Sequence, residues 1–127
     1  MTVSLSPKPC RVLVADDDPT VALLMQVALP PPDYSTTVVA SGDSALDVFG
    51  QQPFDLVLLD VEMPGRDGFE VCREIRRRSG RSVPVLLVTG RNDPEFHARA
   101  DELAADHIAK PVDWGGLAAL VQRLIRR

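Results

Sequence analysis

The stretch from Phe54 to Gly68 constrains the fold most. Leu56-Val57-Leu58-Leu59 is a continuous apolar run that ends in Asp60, and Met63-Pro64-Gly65 follows at once. A short run, apolar without alternation and closed by turn residues, suits a strand buried on both faces. Proline has no backbone N–H and glycine tolerates positive φ, so regular structure stops there. One carboxylate is therefore expected at a strand end, beside a stiff turn. Taken alone, Asp60 reads as readily as a turn or capping aspartate, a common place for that residue.

The same grammar recurs along the chain. Arg11–Ala15 is an apolar strand ending in Asp16-Asp17-Asp18-Pro19. Asp18 reads as a helix N-cap with Pro19 at the first helical position, which leaves Asp16 and Asp17 at the strand edge. Val21, Leu24, Met25, Ala28 and Leu29 then repeat at helical spacing until Pro30-Pro31-Pro32. Thr36–Ala40 is a second strand, and a short helix carries Ala45, Leu46, Val48 and Phe49. A third helix runs from Phe69 to about Arg78, with Arg76, Arg77 and Arg78 placed to complement its negative end. Val83–Gly90 is a fourth strand carrying Thr89 at its end, and Asp93-Pro94 opens a fourth helix with Phe96, Ala100, Leu103 and Ala104. His107–Lys110 is a short fifth strand before Pro111, and Asp113 caps a last helix bearing Leu117, Leu120, Val121, Leu124 and Ile125.

Five strands alternating with five helices predict an α/β fold with a parallel sheet covered on both faces. In such a sheet every strand ends at one edge, where ligands bind. Asp16, Asp17, Asp60, Thr89 and Lys110 would meet there. Three close carboxylates need a counter-ion, and a hard divalent cation such as Mg²⁺ with oxygen ligands supplies one. Asp60 would then act as a carboxylate nucleophile toward a phosphoryl group, with Lys110 offsetting charge and Thr89 donating a hydrogen bond.

Composition bounds the remaining classes. The 127 residues suffice for one domain and one core, and the net charge of −4 argues against nucleic acid as a direct ligand. There is no apolar run of membrane-spanning length and no signal-peptide pattern, so a cytoplasmic location is expected and no membrane partner. Cys10 and Cys72 read as isolated, inert thiols, and Lys110 stands out because Lys8 is the only other lysine. Residues 1–9 read as a disordered leader and 10–127 as one domain.

The Asp16-Asp17 pair, Leu-Leu-Asp60-Val-Glu-Met-Pro-Gly-Arg-Asp67-Gly68, Thr89-Gly90 and Lys110-Pro111 together resemble a response-regulator receiver domain, the phosphoacceptor half of bacterial two-component signalling. The resemblance covers nearly the whole chain from Arg11. It implies a flavodoxin-like, doubly wound sheet of order 2-1-3-4-5 and phosphorylation of Asp60 by a histidine kinase or histidine phosphotransfer protein. It implies Mg²⁺ held by Asp16 (largely through water), Asp17, Asp60 and the Glu62 backbone carbonyl, and a cis Lys110–Pro111 bond. It further implies a downstream protein partner, and self-association through the fourth helix, fifth strand and fifth helix. The domain would catalyse only its own phosphorylation and dephosphorylation.

The chain departs from the family pattern in places. The switch aromatic three residues before the lysine is His107, which leaves open a partly exposed strand histidine or an altered Thr89–His107 switch. The Thr89–Lys110 segment is one residue short, and Leu103-Ala104-Ala105-Asp106 lacks the customary helix-ending glycine. Glu62 and Arg91 are placed to pair across the site's mouth. Two other readings stand beside the switch: a small aspartate-nucleophile phosphatase of the haloacid dehalogenase type, disfavoured by Glu62 where a second aspartate belongs, and a degenerate receiver acting only as an interaction module.

Overall fold

A computed structural model describes residues 8–126, so most of the expected leader lies outside the described residues. The elements alternate as β1 (Cys10–Ala15), α1 (Pro19–Ala28), β2 (Tyr34–Val39), α2 (Gly42–Gln51), β3 (Leu56–Asp60), α3 (Gly68–Ser79), β4 (Val85–Thr89), α4 (Pro94–Glu102), β5 (Asp106–Ala109) and α5 (Trp114–Ile125). All neighbouring strands are parallel and the sheet order is β2-β1-β3-β4-β5, as expected. The order reverses between β1 and β3, which places a crevice at the carboxyl edge between them.

Side-chain alternation divides the core into two layers. Leu13, Val57, Leu59, Val85 and Leu87 face α2, α3 and α4, meeting Leu46, Phe69, Ile75 and Phe96. Val12, Val14, Leu56, Leu58, Leu86 and Val88 face α1 and α5, meeting Met25, Leu29, Leu117 and Val121. The three central strands are apolar on both faces because both faces are covered.

Local chemistry sets the helix starts. Asp18 Oδ1 accepts from the Thr20 and Val21 N–H groups at 2.9 and 3.4 Å, ahead of Pro19 at the first turn. Asp67 caps α3 through the Glu70 N–H at 2.9 Å, and Asp93 caps α4 through the Phe96 N–H at 2.8 Å. Asp113 differs from expectation: its side chain makes no capping bond, and its backbone carbonyl accepts from the Gly116 N–H at 3.2 Å instead.

Two boundaries and one helix face are corrected. Strand β2 begins at Tyr34, because its ladder with β1 starts at Cys10 and its residues follow that register. Strand β4 begins at Val85, since Pro84 has no N–H for the ladder and contributes only its carbonyl, to the Val57 N–H at 3.0 Å. On α1, Leu24 faces solvent with Leu23 and Val27, while Ala22 is buried in its stead.

The α4 terminus forms without glycine. Ala104 adopts φ +52°, the Ala105 N–H reaches the Ala100 carbonyl at 2.9 Å, and the Ala104 N–H reaches Asp101 at 3.0 Å. This is a Schellman closure with alanine at the left-handed position, where an L residue is strained. Its neighbour explains how it holds. Arg76 donates to the carbonyls of Leu103 at 2.7 Å, Ala104 at 3.1 Å, Val83 at 2.6 Å and Gly80 at 3.1 Å. The expected dipole role of the α3 arginines thus describes Arg76 incompletely: it ties the end of α3 to the α4–β5 turn. Arg77 and Arg78 instead pair with Glu74 on the surface.

Candidate functional site

The carboxyl edge of the sheet gathers the polar residues at the strand ends. Asp16 and Asp60 are each 2 % exposed and Thr89 is 1 % exposed, the buried polar side chains among the described residues. Asp17 is exposed beside them. Carboxylate oxygens of Asp16, Asp17 and Asp60 all lie within 4.8 Å of one another. Their placement follows from the ladders: β1 and β3 are adjacent and in register, so their carboxylate ends converge.

Asp60 Oδ1 accepts from Lys110 Nζ at 3.1 Å and from the Glu62 N–H at 3.2 Å. Lys110 is brought there by the end of β5, where its N–H bonds the Thr89 carbonyl at 2.8 Å and the Lys110–Pro111 bond is cis, as the family pattern implies. Partial burial pulls the Lys110 ammonium down, but the hydrogen bond and charge of Asp60, with Asp16 and Glu62, outweigh it and leave it raised. Thr89 Oγ1 accepts from the Arg91 N–H at 2.9 Å, which leaves the hydroxyl proton to be donated.

Asp16 is held against its own chemistry. Its Oδ1 accepts from the Asp18 N–H at 2.9 Å, while its Oδ2 is buried with no hydrogen-bond partner. Burial raises its carboxyl; the Asp18 N–H opposes this, Asp60 and Asp17 add to the rise, and Lys110 offsets part of it. An orphaned buried carboxylate oxygen among three acids fits a hard cation with oxygen ligands. The Glu62 carbonyl lies in the turn directly after Asp60, and Glu62 itself is exposed.

The loop after Asp60 is fixed by close packing. The Gly68 N–H bonds the Val61 carbonyl at 2.9 Å, and a Cβ on Gly68 would lie 2.7 Å from the Asp60 carbonyl oxygen. Gly65 supplies φ +73° at the turn.

One expectation around the mouth is revised. Arg91 does not pair with Glu62; its Nε and Nη2 hold Asp93 at 2.9 and 3.1 Å. Asp93 is already fixed as the α4 cap two residues away, so a planar two-bond pair forms with little chain to order. His107 is a partly exposed residue of β5, as one of its two readings expects. Its ring stands edge-on to Phe96 at 5.4 Å and lies against His97 at 4.5 Å with a 38° tilt. His97 carries no signal of its own along the chain, and it is α4 that brings it against β5. Cys10 and Cys72 are free, and burial pushes both thiols up to about 11, in keeping with inert roles.

A doubly wound parallel sheet with an acid triad, a lysine and a hydroxyl at its switch point defines a phosphoacceptor-type α/β domain. Comparison with known families makes this specific: residues 12–122 match the response regulator receiver domain, and the chain belongs to that family. It is 36% identical over 120 residues to transcriptional regulatory protein AfsQ1 of Streptomyces coelicolor, covering 94% of this chain and 52% of that one. It is 36% identical over 118 residues to DNA-binding response regulator MtrA of Mycolicibacterium smegmatis, covering 92% and 51%. The chain therefore spans about half the length of these curated relatives. Among solved structures, a response regulator from Chloroflexus aurantiacus superposes with TM-score 0.86 at 31% identity, covering 94% of this chain and 100% of that one. Chemotaxis protein CheY4 of Vibrio cholerae gives TM-score 0.84 at 27% identity, covering 91% and 98%. The chain is thus a receiver domain of two-component response regulators, a class whose signalling is phosphoacceptor signalling. No described helix is long and apolar enough to cross a membrane.

Proposed function

We propose that the domain accepts a phosphoryl group on Asp60 from a phosphohistidine of a histidine kinase or phosphotransfer protein, and that the modified domain is read by a downstream protein in the cytoplasm. The observation that carries this is the Asp60 carboxylate at a strand end, bonded to Lys110 and flanked by two further acids. A carboxylate oxygen of Asp60 forms the new P–O bond as the P–N bond to the donor imidazole breaks. The electron pair stays on the departing nitrogen, which takes up a proton.

Each neighbour has a share in that step. Lys110 Nζ, 3.1 Å from Asp60 Oδ1, offsets charge on the transferred group's oxygens. The Thr89 hydroxyl donates to one of those oxygens, since the Arg91 N–H already occupies it as an acceptor. Asp16, Asp17 and Asp60 side chains with the Glu62 carbonyl would hold Mg²⁺, Asp16 largely through water. When bound, the ion neutralises the acids and the phosphoryl oxygens. His107 stands on the face of β5 that adjoins Leu87 and Thr89, so a displacement of Thr89 toward the phosphoryl group alters the space its ring fills.

Intact-protein mass spectrometry after incubation with acetyl phosphate and Mg²⁺ tests the reading. One added phosphoryl group is expected, absent in Asp60→Asn and without the metal. Labelling that survives Asp60→Asn overturns the assignment, and multiple turnover of a small phosphoester would point to a phosphatase.

A further inference from the structure

The loop that leaves Asp60 carries the Glu62 carbonyl, and both of its ends are pinned from within. The Glu62 N–H bonds Asp60 Oδ1 at 3.2 Å, and Val61 and Met63 are buried in the core layer that holds Phe69 and Ile75. The Gly68 N–H closes the loop on the Val61 carbonyl at 2.9 Å, beside Asp67, the cap of α3. Between these points Pro64, Gly65 and Arg66 are exposed, and Gly65 turns the chain at φ +73°. What holds this crest comes from outside the loop. Arg66 Nε meets Asp43 Oδ1 at 2.9 Å, with the two side chains 50% and 70% exposed.

Asp43 belongs to α2, an element that supplies none of the strand-end residues. Its place is nonetheless well determined. Ser41 Oγ accepts from the Ser44 N–H at 3.1 Å and caps the helix, and Ala45 and Leu46 bury the same turn. An acid in the first turn also suits the positive end of the helix dipole. Gly42, between the cap and Asp43, lies hard against the loop. A Cβ there would stand 2.8 Å from Arg66 Cβ and 2.9 Å from Val71 Cγ2, and would strike the Arg66 carbonyl oxygen. The start of α2 therefore meets the crest through close backbone packing as well as through charge.

We propose that Asp43 and Arg66 are positioning residues for the phosphoacceptor site: their pair clamps the β3–α3 loop and so holds the Glu62 carbonyl in place for a divalent cation. The proposal rests on the phosphoacceptor reading of Asp60 and on the fit of Asp16, Asp17 and Asp60 to such a cation. Mg²⁺ demands closely placed oxygen ligands, so a carbonyl on a looser loop must be ordered at the moment of binding, and affinity falls. An exposed ion pair shifts an equilibrium by no more than about fivefold, which sets the size of the effect and leaves overall stability almost untouched. The sign separates positioning from a simple field effect. Arg66 is a cation near an acidic site, so its charge alone disfavours Mg²⁺, and removing it would tighten binding if only the field mattered.

Isothermal titration calorimetry of the full chain with Mg²⁺, at about 0.15 M salt, tests this. Wild type is compared with Arg66→Gln, Arg66→Lys, Asp43→Asn and the double variant Asp43→Asn with Arg66→Gln. Arg66→Gln and Asp43→Asn should each bind Mg²⁺ about two- to fivefold more weakly, with the metal-free melting temperature unchanged. Arg66→Lys, whose ammonium still reaches Asp43, should keep the wild-type affinity. The double variant should bind no more weakly than either single one, because both remove the same contact. Equal or tighter Mg²⁺ binding by Arg66→Gln overturns the proposal, and so do additive losses in the double variant. A wild-type chain that binds no Mg²⁺ overturns both the clamp and the reading of the site beneath it, whereas wild-type binding left unchanged in Arg66→Gln overturns the clamp alone.

Discussion

Arg76 should be worth more to the fold than any other charged side chain outside the acidic site. Its guanidinium donates to carbonyls of Leu103, Ala104, Val83 and Gly80, joining three chain segments. A hydrogen bond from a charged donor nets about 1.5–3 kcal/mol, and carbonyls left without partners add to the loss. Burial pulls the Arg76 guanidinium down, which shows a desolvation cost that the bonds must first offset. The four bonds are therefore not additive, and Arg76→Met, which keeps the aliphatic stem, should destabilise the domain by about 3 kcal/mol. With a urea m-value of about 1.5 kcal/mol/M, the midpoint should fall by about 2 M. Arg76→Lys, with one ammonium for four acceptors, should fall between wild type and Arg76→Met. The control is Arg77→Met, one residue on, whose exposed side chain pairs with Glu74 and whose loss should leave the midpoint nearly unchanged. Equal midpoints for Arg76→Met and Arg77→Met would refute the reasoning.

Ala104→Gly relieves the left-handed residue at φ +52°, and should raise stability by about 0.5–1 kcal/mol in thermal denaturation; a lower melting temperature would contradict the strain. Asp16 has a raised carboxyl, so its ionisation costs stability as pH rises from the unfolded value through the folded one. Without metal, Asp16→Asn should then gain about 1 kcal/mol at pH 7 and nothing near pH 3, with a smaller Mg²⁺-induced rise in melting temperature than wild type. A mutant less stable than wild type at pH 7 without Mg²⁺ would show that the orphaned oxygen is not a source of strain. Gly68→Ala forces a Cβ to 2.7 Å from the Asp60 carbonyl oxygen and should cost about 1–3 kcal/mol. It should also slow acetyl phosphate labelling of Asp60, and unchanged labelling would separate the loop from the chemistry.

What was legible in the sequence was what a one-dimensional pattern encodes. Uninterrupted apolar runs at Leu56–Leu59 and Leu86–Val88 mark strands covered on both faces, and parallel pairing then sends every strand end to one edge. That rule alone brings Asp16, Asp17, Asp60, Thr89 and Lys110 together, because each follows or ends a strand. The cap at Asp18 was legible for the same reason: the acceptor and the N–H groups it serves lie within three residues. Pro84 shows the limit at boundaries. Its flanking residues are as apolar as the strand, and only the missing N–H excludes it from the ladder.

The contacts that escaped are those for which the partner is set by packing between distant elements. Arg76 looks like its two neighbours in sequence, yet helical rotation points it alone toward Val83 and the α4–β5 turn. Once there, it answers the question left by the missing glycine after Glu102: the turn closes on alanine because its carbonyls are bound by a cation from another helix. Arg91 escaped for the opposite reason, a partner too near, since Asp93 captures it before it can reach across the mouth to Glu62. His97 carries no signal in its own neighbourhood, and becomes meaningful only because the short α4 sets it against β5. The acidic site was thus readable from strand order, while the devices around α4 follow from three-dimensional packing.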